Sequence, residues 1–123
     1  MIDHLSFGMR NLAAARGFYD RVLGTLGYKL LAEYPGSLGY GDAHAEFWLL
    51  AAERPVPADD QSGLHLSFHA PSRAAVDAFH AAALAEGGSD NGKPGLRADY
   101  GPKYYAAFVK DPEGYRLEAH YGA

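Results

Sequence analysis

The tetrapeptide His4-Leu5-Ser6-Phe7 recurs 61 positions later as His65-Leu66-Ser67-Phe68. The match extends further along the chain at the same offset: Ala13-Ala14 correspond to Ala74-Ala75, Phe18 to Phe79 and Leu23 to Leu84. It therefore runs through a strand-like segment and into a helix-like one. Since the offset is close to half of the 123 residues, it indicates an internal duplication.

Each copy begins with alternating apolar and polar residues, at 2–9 and 63–70, which predicts a half-buried strand. Apolar residues at three- and four-residue spacing then predict a helix over 12–23. In the second copy Pro71 ends the strand, and Ser72 is a favourable N-cap that predicts a helix over 73–84. Further strands are expected at 28–34, 38–40, 45–51, 104–110 and 115–121. The segment 89–103 is rich in Gly, Pro and Asn, which is typical of a loop with one short strand.

These elements predict an α+β fold in which two tandem βαβββ modules form a curved mixed sheet around a cleft, with the helices on the outside. We expect a single domain over 1–123. Module 1 is expected at about 1–52, a polar, proline-bearing linker at 53–62 and module 2 at about 63–123. Asp111–Gly114 (DPEG) predicts a tight turn between the last two strands, because proline fixes φ and glycine accepts a positive φ.

The composition narrows the possible functions. The chain has no cysteine, which excludes disulfides, thiolate nucleophiles and cysteine-bound zinc. Its net charge of −4 argues against nucleic acid as a partner. The N-terminus lacks the apolar core of a signal peptide, and no apolar run is long enough for a membrane helix. A cytoplasmic protein that binds neither nucleic acid nor membrane is expected.

Strand alternation places the chemistry-bearing side chains on one face of the predicted sheet. Apolar residues such as Leu5, Phe7 and Leu117 share the opposite face, which suits packing on the helices. The polar face contains His4, Glu46, Trp48, His65, His69, Arg116, Glu118 and His120. A solvent-exposed face is the alternative reading of any one of these residues. As a set they favour a divalent-metal site, since imidazoles and a carboxylate are common metal ligands.

Two stretches carry a resemblance to a known family. Phe18–Gly24 (FYDRVLG) and Phe108–Glu118 (FVKDPEGYRLE), within paired βαβββ modules, resemble the vicinal oxygen chelate superfamily, which contains glyoxalases, bleomycin resistance proteins and extradiol dioxygenases. The resemblance covers essentially the whole chain. It implies metal ligands on the first and last strands of the modules, which fall on His4, His65 and Glu118.

The resemblance implies a fourth ligand position, on the last strand of module 1, and there this chain departs from the glyoxalase I pattern. Trp48 stands where glyoxalase I has a carboxylate, and an indole offers only an N–H donor. The remaining set of two histidines and one glutamate is similar to the Fe(II) site of extradiol dioxygenases in this superfamily. The metal implied is Fe, Mn, Ni or Zn, and a protein without metal is the alternative.

Other residues on the polar face are candidates for roles around the metal. His69, His120 and Tyr104 are candidate proton-transfer residues. Trp48, Arg116 and Tyr105 are candidate substrate-binding residues, through an aromatic wall, an anion-binding guanidinium and a phenol, respectively. The alternative roles are a hydrogen-bonded rim histidine for His69 and His120, a structural salt bridge for Arg116 and simple packing for Trp48. Alternation alone does not tell which of Tyr104 and Tyr105 faces the cleft.

Two classes of function follow from this reading. The first is a metal-dependent, glyoxalase- or dioxygenase-like enzyme (a dioxygenase, lyase or isomerase) acting on a small substrate that chelates the metal through adjacent oxygens. The second is a metal-free protein that sequesters a small aromatic or cationic molecule, as drug-resistance members of the superfamily do. The resemblance also implies a homodimer, with the cleft formed either within one chain or across two.

Overall fold

The computed structural model describes residues 1–122. Its elements are β1 (Leu5–Met9), α1 (Leu12–Gly24), β2 (Lys29–Tyr34), β3 (Ser37–Gly41), β4 (Ala45–Ala51), β5 (His65–His69), α2 (Arg73–Ala85), β6 (Ser89–Leu96), β7 (Tyr105–Lys110) and β8 (Arg116–Tyr121). The order βαβββ occurs twice, so the α+β class and the tandem modules are confirmed.

The strands form two four-stranded mixed sheets, in the orders β1-β4-β3-β2 and β5-β8-β7-β6. In each sheet the first strand of the module pairs in parallel with the last, and the other pairs are antiparallel. This differs from the single curved sheet expected from the sequence. The reason is that β1 and β5 are edge strands of separate sheets and do not pair with each other within residues 1–122.

A side chain caps the first turn of each helix. The Asn11 side chain accepts a hydrogen bond from the Ala14 amide at 3.0 Å, and the Ser72 hydroxyl accepts one from the Ala75 amide at 3.0 Å. Each bond satisfies an amide that has no partner inside the helix. None of the helices within residues 1–122 is long and apolar enough to cross a membrane.

The segment after α2 contains more strand than its composition predicts. β6 spans Ser89–Leu96 and pairs with β7, but its register shifts on both sides of Gly92. These irregularities let an edge strand accommodate Pro94, which cannot donate a hydrogen bond to the sheet. Glycine and proline therefore mark bulges in a strand here, and not the loop that this composition predicts.

One hydrophobic core joins the two modules. The helices α1 and α2 contact each other, and their inward-facing residues share a cluster with apolar residues from both sheets. The largest fully buried side chains are Phe18, Tyr19, Tyr40, Phe79 and Tyr115. Because neither sheet has a core of its own, the modules are held in one fixed arrangement.

The turn between β7 and β8 has the expected conformation, with Gly114 at φ +97°. Asp111 organises it, since its Oδ1 accepts hydrogen bonds from the amides of Glu113 and Tyr115 at 2.9 Å each. Its Oδ2 accepts a 2.6 Å hydrogen bond from the hydroxyl of Tyr19 in α1. A single carboxylate thus links the turn of module 2 to the helix of module 1.

The rest of the turn binds the beginning of module 1. The Glu113 carboxylate accepts hydrogen bonds from the amides of Arg10 and Asn11, at 2.8 and 3.0 Å. An anion at this place also interacts favourably with the dipole of α1. The Tyr115 ring stacks on Phe7 at 4.3 Å, and its hydroxyl donates to the Gly8 carbonyl at 2.7 Å. These contacts fix β1 against module 2.

We predict that Asp111→Ala lowers the free energy of unfolding by about 3 kcal/mol, because it leaves the buried Tyr19 hydroxyl and two turn amides without their acceptor. Urea denaturation followed by circular dichroism measures the change. The control is Asp99→Ala, which removes an exposed aspartate that forms no salt bridge in the described part of the chain. Equal effects of the two substitutions would contradict this account of the turn.

Candidate functional site

The parallel strand pair of each module places equivalent residues opposite one another. In module 2, Ser67 on β5 is in register with Glu118 on β8. In module 1, the equivalent Ser6 on β1 is in register with Trp48 on β4. Trp48 therefore occupies the position in module 1 that Glu118 occupies in module 2.

Glu118 is the buried carboxylate of the candidate site. Its side chain is only 4% exposed, and its Oε1 lies 3.0 Å from the Nε2 of His65. Its Oε2 accepts a 2.6 Å hydrogen bond from the Tyr104 hydroxyl. The structure thus brings together one histidine and the glutamate of the predicted ligand set, together with a tyrosine that orients the carboxylate.

Tyr104 is suited to act as a permanent donor in this arrangement. Burial and the hydrogen bond to Glu118 raise the pKa of Tyr104 to about 12, so its phenol stays protonated near neutral pH. The ring stacks on His120 at a centroid distance of 3.7 Å. The His120 Nε2 is buried and has no hydrogen-bond partner within residues 1–122. His120 therefore contacts, through its ring face, the tyrosine that holds Glu118.

His4 lies away from this pair. It precedes β1, its side chain is 56% exposed, and its Nδ1 contacts the neighbouring Asp3 carboxylate at 2.7 Å. No group of three His, Asp or Glu side chains in residues 1–122 lies close enough together to hold a metal ion. One chain therefore presents two of the three predicted ligands together and the third separately.

A cavity of about 260 Å³ lies between module 1 and β5. Its walls include the aromatic rings of Tyr28, Tyr40, Phe47 and Phe68, with Asp3, His4, Asp42, Glu46 and His69 also lining it. The backbone carbonyl of His69 accepts a hydrogen bond from the Tyr28 hydroxyl at 2.9 Å. His69 thus lines this cavity, and Trp48 and Glu118 are not among the residues around it.

Trp48 lies flat on the sheet of module 1. Its ring is stacked with Tyr34 at 6.3 Å, and it passes directly above Gly39 of β3. A Cβ added at Gly39 would come within 2.9 Å of the indole. The glycine is therefore required for the present position of the indole.

The two remaining predicted substrate-binding residues have structural partners. Arg116 donates from Nε to the Leu64 carbonyl at 3.1 Å, which fixes the start of β5. Tyr105 donates to Asp77 of α2 at 2.6 Å, and Arg73 lies over its ring at 5.0 Å. Alternation along β7 therefore turns Tyr105 toward the helix and Tyr104 toward Glu118. The structure does not bring Tyr105 together with the other candidates.

Phe108 is a site residue that the sequence analysis did not single out. It is in register with Glu118, and its ring stacks with that of His65 at 5.9 Å. Its alternation with Tyr104 along β7 is the signal that places it on this face. It forms the apolar side of the His65–Glu118 pair.

Comparison with known proteins identifies the family. The family model for the Glyoxalase/Bleomycin resistance protein/Dioxygenase superfamily matches residues 1–119, so the chain belongs to this superfamily. A crystal structure of a glyoxalase/bleomycin resistance protein from Albidiferax ferrireducens is 33% identical, with a TM-score of 0.83 and 96% of each chain covered. A comparison with curated proteins found no significant match.

More distant structures share the fold. A glyoxalase/bleomycin resistance protein/dioxygenase family enzyme from Burkholderia phytofirmans is 19% identical, with a TM-score of 0.76 and coverage of 99% of this chain and 98% of that one. A fosfomycin resistance protein from Listeria monocytogenes is 13% identical, with a TM-score of 0.73 and coverage of 100% and 93%. A protein described as an enzyme and one described as a resistance protein therefore share this fold.

We predict that Gly39→Ala displaces the indole of Trp48 toward solvent. Its fluorescence maximum should then shift to longer wavelength, and the free energy of unfolding should fall by about 2 kcal/mol, because the new methyl group overlaps the ring. The emission is specific, since the chain has one tryptophan.

The matched control is Gly17→Ala, on the exposed side of α1 where an added Cβ meets nothing within 4 Å. It should raise stability by about 0.5–1 kcal/mol, because alanine favours the helix, and leave the emission unchanged. An unchanged spectrum in Gly39→Ala would show that the indole does not lie on this glycine in solution.

Proposed function

We propose that this protein is a metal-dependent enzyme whose site is assembled between two copies of the chain. His65 and Glu118 of one copy and His4 of the other would hold a divalent cation. The observation that carries the proposal is the pair formed by His65 and the buried Glu118 next to an unpaired strand edge. The small substrate would bind through two adjacent oxygens.

The donor atoms of this pair fit a cation. Imidazole nitrogen and carboxylate oxygen are ordinary ligands of Fe, Mn, Ni and Zn. Atoms bound to one ion at about 2.1 Å and at right angles to each other lie roughly 3 Å apart. His65 Nε2 and Glu118 Oε1 are separated by 3.0 Å, so a shared ion requires little rearrangement.

The edges of the two sheets support the contribution of a second copy. β1 and β5 both end their sheets without a further strand in the described residues, and an open edge invites pairing with another chain. All five residues of β5 are at least partly exposed, although Leu66 and Phe68 are apolar. Pairing β1 of one copy with β5 of the other, around a two-fold axis, gives two identical sites per dimer.

The residues around the pair have separate tasks. Tyr104 keeps the Glu118 carboxylate oriented by donating a hydrogen bond to Oε2. Phe108 excludes water from one side of His65. The chemistry that a divalent cation supplies at such a site is Lewis-acid polarisation of the chelating substrate. His69 and His120 lie on the same strands and are the candidates to move protons.

A metal-free binding protein is the second candidate, favoured by the cavity beside β5. Its aromatic walls and the carboxylates of Asp3, Asp42 and Glu46 suit a small cation with an apolar body. Saturable binding of such a compound to protein treated with EDTA, with backbone amide shifts confined to Tyr28, Phe47 and Phe68, would support this function. The absence of any binding would leave the enzyme as the sole candidate.

A mixing experiment tests the proposed shared site. Neither His4→Ala nor His65→Ala alone should bind metal, because every site in either dimer lacks one ligand. Co-refolding the two variants in equal amounts should restore about one quarter of the wild-type metal content, since half of the dimers are mixed and each mixed dimer keeps one intact site. Metal analysis of untagged protein, with circular dichroism to verify folding, gives the result.

The control for the loss of an imidazole is His80→Gln. The His80 ring pairs with Asp90 on the helix side of module 2, so this substitution should not affect metal content. Mixed His4→Ala and His65→Ala protein that binds no metal would exclude a site shared between chains. Wild-type protein that binds none of Fe(II), Mn(II), Ni(II) and Zn(II) would overturn the metal-dependent function itself.

We also predict that Tyr104→Phe weakens metal binding by about 10- to 100-fold, because the Glu118 carboxylate loses the donor that orients it. Isothermal titration with Mn(II) measures the affinity. Tyr105→Phe is the matched control, since the adjacent phenol faces α2 and its loss should change the affinity less than about twofold. Equal affinities of the two variants would show that the Tyr104 hydrogen bond does not support the site.

A further inference from the structure

We propose that Arg97 determines substrate specificity by binding an oxyanionic group, carboxylate or phosphate-like, at the end of the substrate opposite its chelating oxygens. This inference rests on the proposed function, because it names the substrate class of the same site. It is carried by a row of three side chains on the sheet face of module 2: Arg97, Phe108 and His65.

The backbone places Arg97 on the face that carries Glu118. Its amide donates to the Tyr104 carbonyl at 2.8 Å, so Arg97 lies opposite Tyr104, just beyond the end of β6. The Tyr104 side chain points to Glu118. Residues opposite each other on neighbouring strands share a face, and Arg97 therefore projects on the same side as Glu118.

Local contacts hold the guanidinium in place. Its Nη1 donates to the Gly95 carbonyl at 3.0 Å and its Nη2 to the Lys93 carbonyl at 2.6 Å. The group lies over the Phe108 ring at 5.3 Å. A Cβ at Gly92 would come within 2.9 Å of Phe108 and 3.3 Å of Nη2, so this glycine leaves the space that the stack occupies.

Within residues 1–122, no carboxylate neutralises the positive charge of this group. Both of its hydrogen-bond acceptors are uncharged backbone carbonyls, and no carboxylate of residues 1–122 forms a salt bridge with it. The side chain is partly exposed and retains unused N–H donors, since a guanidinium carries five. A positioned, uncompensated guanidinium in a chain of net charge −4 is suited to an oxyanion that it can bind in a bidentate manner.

Phe108 sets the spacing between the two ends of the row. Its ring is 5.9 Å from that of His65 on one side and 5.3 Å from the guanidinium on the other. It keeps Arg97 from pairing with Glu118, so that the carboxylate stays available to a cation and the guanidinium to an anion. A molecule about one substituted ring in length, chelating at His65 and Glu118, would reach Arg97 with its far end.

The test uses benzoate and its uncharged analogue benzamide as probes. The full-length chain is kept in EDTA so that no metal competes for the carboxylate of benzoate. Titrations are followed through backbone amide shifts. Benzoate should shift the amides of Gly92, Gly95 and Phe108. Arg97→Gln should weaken benzoate binding by about tenfold, because a charge-assisted hydrogen-bonded pair is lost. Benzamide should bind both proteins equally weakly.

Two further variants separate a fitted site from general electrostatics. Lys93→Gln removes the same charge from an exposed neighbour and should leave benzoate affinity within about twofold, since surface charges act weakly. Arg97→Lys should retain part of the affinity, because it keeps the charge and loses the fork. Equal weakening by Lys93→Gln and Arg97→Gln, or unchanged binding in Arg97→Gln, would overturn the inference.

Mn(II) titration of the wild type and of Arg97→Gln, in protein freed of EDTA, separates this inference from the proposed function. Arg97 is not a proposed ligand, so both proteins should bind the metal equally. Anion binding that depends on Arg97 in a chain that binds no metal would reject the metal-dependent function and keep the anion site. Normal metal binding with benzoate affinity independent of Arg97 would reject the anion site alone.

Discussion

The arrangement of the whole chain depends on how the turn at Asp111–Gly114 docks on module 1. The Asp111 carboxylate accepts a hydrogen bond from the Tyr19 hydroxyl. The Glu113 carboxylate accepts hydrogen bonds from the amides of Arg10 and Asn11, at the start of α1. Tyr115 adds a ring stacked on Phe7 and a hydrogen bond to Gly8. These contacts fix β1 against module 2. Within residues 1–122, neither β1 nor β5 has a further strand on its outer edge, and the proposed site depends on residues of both strands.

The two modules have diverged where the chemistry lies. Equivalent register positions hold Glu118 in module 2 and Trp48 in module 1. Glu118 is buried and contacts Tyr104 and His65. Trp48 lies over Gly39 and stacks with Tyr34. Module 2 therefore presents the Glu118 carboxylate, with the apolar Phe108 beside it and the Arg97 guanidinium beyond Phe108. Module 1 presents the aromatic surface of Trp48 and Tyr34.

Much of this could be predicted from the sequence because the repeat is local and periodic. The offset between His4 and His65 predicted the duplication, and alternation correctly placed Glu118 on the face of His65. Alternation could not choose between Tyr104 and Tyr105, since that depends on which side of β7 the helix α2 covers. The position of Arg97 was missed because Gly92 and Pro94 look like loop residues, although here they lie in an irregular edge strand. The separation of His4 from Glu118 results from tertiary docking, which leaves no local signal in the sequence.

The central claim is that His65 and Glu118 of one chain share a cation with His4 of another. A crystal structure of the nickel-loaded protein, with data collected at the nickel absorption edge, tests it most directly because the anomalous signal locates the ion without reference to the protein. We expect one peak per chain, within bonding distance of His65 Nε2, Glu118 and a His4 from a second copy. A peak bound to other residues, or one completed by His4 of the same chain, would contradict it.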